Sequence, residues 1–302
     1  MRPDLFIAGC GYVGAALARL AIRRGLRVGS LTRNTARAEA LRAVGADVIV
    51  ADLASEAWHR ELPSVPRWVV NTVSSGGGGV EGYRKSYVDG TSSLVRWAEA
   101  AGGADTLLYT GSTSVYPQGA GEQVDESSAT GASDERGRLL LEAERLVREA
   151  AGAARRRFVL RLAGIYGPGR HHLLEQVRSG EVSGGGEHRL NLIHRDDAAG
   201  AILACLESKL ATGTHVFNAA DDAPAPKAEV AGWLARELGV PTPLFTGAAH
   251  PARRAVVPDR VVMNAELRRQ TGWRPRFSNY REGYESILSH GTDAAQSGDG
   301  IT

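Results

Sequence analysis

Apolar residues recur along this chain in short runs that alternate with stretches of helical periodicity. Leu5-Phe-Ile-Ala8 is a bare apolar run. Val13, Leu17 and Leu20 then form a stripe on one helix face, while Arg19, Arg23 and Arg24 lie elsewhere around it. The alternation continues with strands predicted over 27–33, 46–52, 67–73, 106–112 and 157–163, and helices over 36–44, about 83–101 and 135–150. Short β-rich runs separated by helices predict an α/β fold with a parallel sheet covered on both faces, and right-handed crossovers make that sheet doubly wound. Beyond Tyr166 the rhythm breaks. Gly167-Pro-Gly-Arg170 reads as a turn and 179–188 as a glycine-rich loop. Strands are expected at 190–193 and 215–219, with a helix at 198–207 capped by Asp196 or Asp197. The expected organisation is a sheet domain made of 1–165 with 190–220, a smaller C-terminal lobe made of 166–189 with 221–290, and a solvated, disordered tail over 291–302.

Composition narrows the classes without choosing one. At 302 residues the chain exceeds the usual size of one compact core. Its 43% hydrophobic and 23% charged residues are those of a globular protein, and a formal net charge of +2 gives no reason to expect nucleic acid or an anionic membrane as partner. Cys10 and Cys205 are the only cysteines, which fits a reduced compartment and offers no zinc-type cluster. The N-terminus enters a strand almost at once, and no apolar stretch approaches the roughly 20 residues of a membrane span. A cytoplasmic protein is expected.

The first chemistry is in the turn after the first strand, Gly9-Cys-Gly11-Tyr-Val-Gly14. In G-x-G-x-x-G the first glycine allows the tight turn, the second lets a pyrophosphate approach bare backbone, and the third lets helix and strand pack closely. Free N–H groups and the positive end of the helix dipole face the anion. Gly9, Gly11, Tyr12, Val13 and Gly14 are therefore expected at a dinucleotide. The second strand ends in Thr32-Arg33-Asn34, with Arg37 one turn later, where an NAD-binding chain would carry an acidic residue for the ribose. A guanidinium there can bind the extra phosphate of NADP bidentately, so NADP is favoured, with NAD possible.

Three further phrases follow in order: Thr110-Gly-Ser112-Thr-Ser-Val-Tyr116-Pro, Arg161-Leu-Ala-Gly-Ile-Tyr-Gly-Pro-Gly169 and His194-Arg-Asp-Asp197. Together with the glycine turn they resemble the extended short-chain dehydrogenase/reductases of the NAD(P)-dependent epimerase/dehydratase type, over about residues 4 to 289. The resemblance implies that Ser112 hydrogen-bonds a substrate oxygen, that Ala163, Gly164 and Ile165 lie beside a nicotinamide, and that Asp52 and Leu53 meet the adenine. It also implies pairing of two chains through a helical bundle. The family's tyrosine acid/base and the lysine four residues later belong at Arg136 and Leu140, anchoring on Glu144. Neither is present, as in atypical members that keep the cofactor fold without the full catalytic set.

Tyr116 is the phenol that could stand in beside Ser112. Arg170, His171 and His194 are the candidates for substrate binding, from a guanidinium able to clamp an anion and imidazoles that titrate near neutral pH. Asp197 reads as a helix cap, and Lys85 and Arg138 as solvated charges. The expected function is an NAD(P)-dependent reductase, epimerase or dehydratase acting on a small polar, sugar-like or anionic substrate. The alternative is a non-catalytic protein that senses NADP(H).

Overall fold

Seven parallel strands form the central sheet of the computed structural model, which describes residues 3–75, 77–131, 134–247 and 258–294. In chain order the first elements are β1 (Leu5–Ala8), α1 (Tyr12–Arg23), β2 (Val28–Thr32), α2 (Thr35–Ala43), β3 (Asp47–Val50), β4 (Trp68–Asn71), α3 (Gly79–Tyr83), α4 (Gly90–Ala100), β5 (Ala104–Ser112), β6 (Glu122–Val124), α5 (Glu135–Glu149) and β7 (Ala154–Leu162). Then follow β8 (Gly164–Tyr166), α6 (His172–Ser179), β9 (Glu181–Val182), β10 (Arg189–Leu190), β11 (Leu192–His194), α7 (Arg195–Glu207), β12 (Gly213–Ala219), β13 (Ala225–Pro226), α8 (Lys227–Leu238), β14 (Leu244–Phe245), β15 (Arg260–Val262), α9 (Ala265–Thr271) and α10 (Tyr280–Ala294).

The sheet order is β12-β7-β5-β4-β1-β2-β3, the doubly wound Rossmann arrangement. The order in which successive strands are added reverses between β1 and β4, although the two strands are parallel. The loops leaving these two strands therefore diverge and open a crevice at their carboxyl ends. β1 and β4 are buried along their whole length, as expected for central strands covered on both faces, whereas β3 at the edge is partly exposed. One face packs Leu17 and Ala21 of α1 against Ile202 and Leu206 of α7; the other packs Phe6, Trp58 and Trp97 with Val147 of α5. The long helix expected over 83–101 is interrupted: Arg84–Asp89 form a π-helical turn between α3 and α4. Such turns are frequent at functional sites, and this one carries Lys85 to the crevice.

A third core joins Tyr166, Leu174, Val177 and Val182 to Val230, Leu234, Tyr280 and Tyr284. Residues 260–273 depart from the expected division of the chain. β15 pairs with β6, and Val262, Leu267 and Trp273 are buried in the core of the sheet domain, because their apolar side chains cover the edge beside β12. The loop expected over 179–188 is also corrected: α6 ends at Ser179 with Gly180 as its cap, and β9 pairs in parallel with β14. At the C-terminus, α10 continues to Ala294, so helix replaces the start of the expected tail; residues 295–302 lie outside the described residues. No helix among the described residues is long and apolar enough to cross a membrane.

Candidate functional site

The three glycines after β1 have distinct surroundings. Gly9 has φ +75°, and a Cβ there would lie 2.5 Å from Val73 Cα. A Cβ on Gly14 would lie 2.5 Å from Thr72 Oγ1 and 3.2 Å from Ile7 Cγ2, so helix and strand touch there. Thr72 Oγ1 also donates to the Gly9 carbonyl at 2.9 Å, tying the turn to the loop after β4. At Gly11 the nearest atom to a Cβ is the Gly9 carbonyl at 3.7 Å, so this backbone faces open space. Gly11 caps α1, and no side chain accepts a hydrogen bond from the helix's first turn. Uncapped N–H groups at a helix start beside bare glycine backbone suit a pyrophosphate. Cys10 points the other way, fully buried, and burial pushes its thiol up to about 12.

Two cavities carry the candidate residues, and the first opens on this turn. The first, about 380 Å³, is lined by Gly9, Gly11, Thr32, Arg33, Asp52 and Leu53, together with Arg37 and Lys85. Asn34 accepts from the Arg37 N–H at 2.8 Å and donates its own N–H to Thr32 Oγ1 at 3.2 Å. This small turn sets Arg33 at the exposed lip of the cavity. Arg37 reaches back to donate to the Gly11 carbonyl at 3.3 Å. Lys85 forms an ion pair with Asp52 at 2.8 Å. Burial pushes the Asp52 carboxyl up, but bonds from Lys85 and the Ala54 N–H outweigh it and hold the group below its ordinary value. Lys85 is exposed, as a solvated charge would be, and it also borders the cavity through this pair.

The second cavity, about 410 Å³, brings together Ser112, Ala163, Gly164, Ile165 and Arg170. Parallel pairing sets Ser112 at the end of β5 opposite Leu162 at the end of β7. The chain then crosses the sheet top through Ala163, whose N–H donates to the Ala219 carbonyl at 3.0 Å. Ser112 Oγ accepts the Ser114 N–H at 3.2 Å and lies 2.9 Å from Ser114 Oγ. The polar wall also includes His172, which the sequence offers beside His171, and Gln176, Arg189, Asn191, Lys227 and Arg260, which the sequence did not single out.

Four sequence-based expectations are corrected here. Tyr116 is 1% exposed and does not line the cavity; its hydroxyl accepts from Arg161 at 2.8 Å and donates to Asn218 at 2.9 Å. Burial pushes this phenol's pKa up against the pull of Arg161, so it is a structural group. His194 is buried, caps α7 by accepting the Asp196 N–H at 3.3 Å, and is pushed by burial down to about 4. It therefore stays neutral at pH 7. His171 turns to the Gly167 carbonyl at 3.4 Å, and it is His172, one residue on, that lines the cavity. Asp197 does not cap its own helix; its carboxylate accepts the N–H groups of Arg276 and Phe277 at 2.6 and 3.1 Å.

Tyr12 and Val13 offer the site backbone only. The Tyr12 ring lies near the Arg170 and Arg195 guanidiniums at 5.5 and 5.3 Å, and its hydroxyl donates to the Pro168 carbonyl at 3.0 Å, clamping the 167–170 turn over the glycine loop. Val13 is buried in the core. At the two positions where the resemblance places tyrosine and lysine, Arg136 lies 5.2 Å over the Tyr83 ring and Leu140 is buried. Among the described residues no cluster of three or more His, Cys, Asp or Glu could hold a metal ion.

The chain is 29% identical to a 3-diazoavenalumate denitrifying reductase from a Streptomyces species, over 92% of this chain and 98% of that one. A conserved protein of unknown function from Silicibacter pomeroyi DSS superposes with a TM-score of 0.76 at 25% identity, covering 95% and 98% of the two chains. MoeE5, solved in complex with UDP-glucuronic acid and NAD, superposes with a TM-score of 0.83 at 21% identity over 96% and 99%, a likeness of fold alone. Residues 5–220, which hold the glycine turn, both cavity floors and Ser112, match the NAD dependent epimerase/dehydratase family along their whole extent, and to that family this chain belongs.

Proposed function

We propose that the protein is an NADP(H)-dependent oxidoreductase that acts on a small anionic molecule held in the second cavity. The observation that carries this reading is that Ser112 shares one cavity with Ala163–Ile165, while the glycine turn and Arg33 share another. The residues present fit the dinucleotide: helix N–H groups for the pyrophosphate, Leu53 and Asp52 for the adenine, and Arg33 with Arg37 for a ribose phosphate. When bound, NADPH would supply a hydride to the accepting atom, and the negative charge this leaves would take a proton from solvent through the Ser112 hydroxyl. Ser112 Oγ then holds and orients the accepting group beside Gly164, and the apolar wall of Leu162, Ile165 and Leu192 excludes water. Reduction is favoured over epimerisation and dehydration because those reactions need a base of suitable pKa. Tyr116 is locked by Arg161 and Asn218, and the Tyr166 phenol is pushed far above its ordinary value by burial.

Ser112→Ala is expected to lower turnover about a hundred-fold while leaving NADPH affinity unchanged, since a donor aimed at the reacting group contributes mainly in the transition state. Tyr116→Phe should keep near-parental turnover. NADPH consumption with an acidic carbonyl or diazo substrate panel reads both, and full activity of Ser112→Ala would remove it from the mechanism. A silent panel, with NADPH-dependent protection from hydrogen exchange, would favour the sensor reading.

Arg33→Ala should weaken NADPH roughly ten- to hundred-fold and leave NADH nearly unchanged, the loss of one charge-assisted interaction with a phosphate. Calorimetric titration of both cofactors checks it. Equal affinities in the parent protein would overturn the assignment of NADP.

A further inference from the structure

We infer that the second cavity takes a small carboxylic acid with an apolar body, its carboxylate held by Arg189 and Lys227, and not a nucleoside diphosphate sugar. This rests on the oxidoreductase reading above and adds the substrate's chemical class. The described residues lining the cavity include Arg170, Arg189, Lys227 and Arg260 and no aspartate or glutamate. A wall of that sign selects an anion.

The cations are placed by the fold. β10 pairs antiparallel with β13, with Arg189 opposite Pro226, and Lys227 follows Pro226 at the start of α8; both side chains line the cavity. The Arg189 guanidinium is held by Asp259 at 2.6 Å, and Asp259 also accepts the Arg189 N–H at 2.8 Å. The Lys227 ammonium donates to the Ser183 carbonyl and lies 5.8 Å from the Phe245 ring. Arg260 links this end of the cavity to the reacting end, because its guanidinium donates to the carbonyl of Thr113, next to Ser112, at 3.0 Å. The same cavity is lined by the apolar side chains of Leu173, Leu190 and Leu192 and by the Tyr284 ring. An anion fixed at one end and an apolar stem along the wall place the far end of such a molecule against Ser112.

Size separates an acid from a sugar nucleotide. The cavity is about 410 Å³ and must also admit the nicotinamide ring. Sites of roughly 300–1,000 Å³ bury one drug-sized ligand, so the space left over suits a single-ring acid.

The test uses the full chain saturated with NADP⁺ and titrates 4-hydroxycinnamate, its methyl ester and UDP-glucose by calorimetry. The acid should bind, the neutral ester should bind at least about ten-fold more weakly, and UDP-glucose should be weaker than the acid. Lys227→Met and Arg189→Lys should each weaken the acid roughly ten- to hundred-fold with NADP⁺ affinity unchanged; Lys227→Met needs no change to the Asp259 pair. Equal binding of acid and ester, tighter binding of UDP-glucose, no binding of the acid, or acid binding indifferent to both substitutions would each overturn the inference. Failure to bind NADP⁺ would instead strike the oxidoreductase reading, so the two failures are distinguishable.

Discussion

Gly11→Val is expected to fold normally and to lose NADP(H) and NAD(H) together, to below about a hundredth of the parental affinity. The reason lies in how differently the three glycines are surrounded. A Cβ at Gly11 meets only the Gly9 carbonyl at 3.7 Å, so the fold leaves room for a Cβ there. The valine would occupy the space above the helix N-terminus that a pyrophosphate needs. Gly14→Ala should behave in the opposite way. Its Cβ would press on Thr72 Oγ1 at 2.5 Å and Ile7 Cγ2 at 3.2 Å, and overpacking of that kind costs about 1–3 kcal/mol. Thermal unfolding and cofactor titration of the two variants should therefore change in opposite pairs: Gly11→Val in binding alone, Gly14→Ala in stability first. A Gly11→Val protein that binds cofactor like the parent would remove the glycine turn from the binding site.

Arg161→Met is expected to be the most destabilising single change, by about 3–5 kcal/mol in denaturant unfolding, because it strands a buried carboxylate. Glu144 is 2% exposed and Arg161 3%, and they meet through two guanidinium nitrogens at 2.8 to 3.3 Å. The same guanidinium donates to Tyr116, whose hydroxyl donates to Asn218, and the Asn218 N–H is bonded to the Glu126 carboxylate at 2.7 Å. One chain of polar groups thus joins α5, β7, the loop after β5 and β12 beneath the Ser112 cavity. Pairing Arg161→Met with Glu144→Leu should recover most of the loss, since the cost comes from the unpaired charge and not from the absence of the pair. A single Arg161→Met variant as stable as the parent would show that water reaches Glu144.

The doubly wound sheet and the dinucleotide cradle were legible in the sequence because their signals are local. Period-two and period-3.6 patterns repeat over a few residues, and the glycine turn places each of its backbone groups within one strand-to-helix connection. The family resemblance named Ser112, Ala163, Gly164 and Ile165 together, and they line one cavity because β5 and β7 end side by side and residues 163–165 follow directly on β7. Tyr116, His171 and His194 were misplaced because residue type says what a side chain can do but not where it points. Tyr116 turns inward to a guanidinium 45 positions away in the chain, and a shift of one residue exchanges His171 for His172 at the cavity. The cationic wall of Arg189, Lys227 and Arg260 was invisible for a stronger reason. Its members come from β10, the start of α8 and β15, and no sequence period relates them. Sequence by itself determined the sheet, the glycine turn and the absence of the tyrosine–lysine pair; only tertiary structure decided which charges line the second cavity, because burial and long-range pairing set the direction of each side chain.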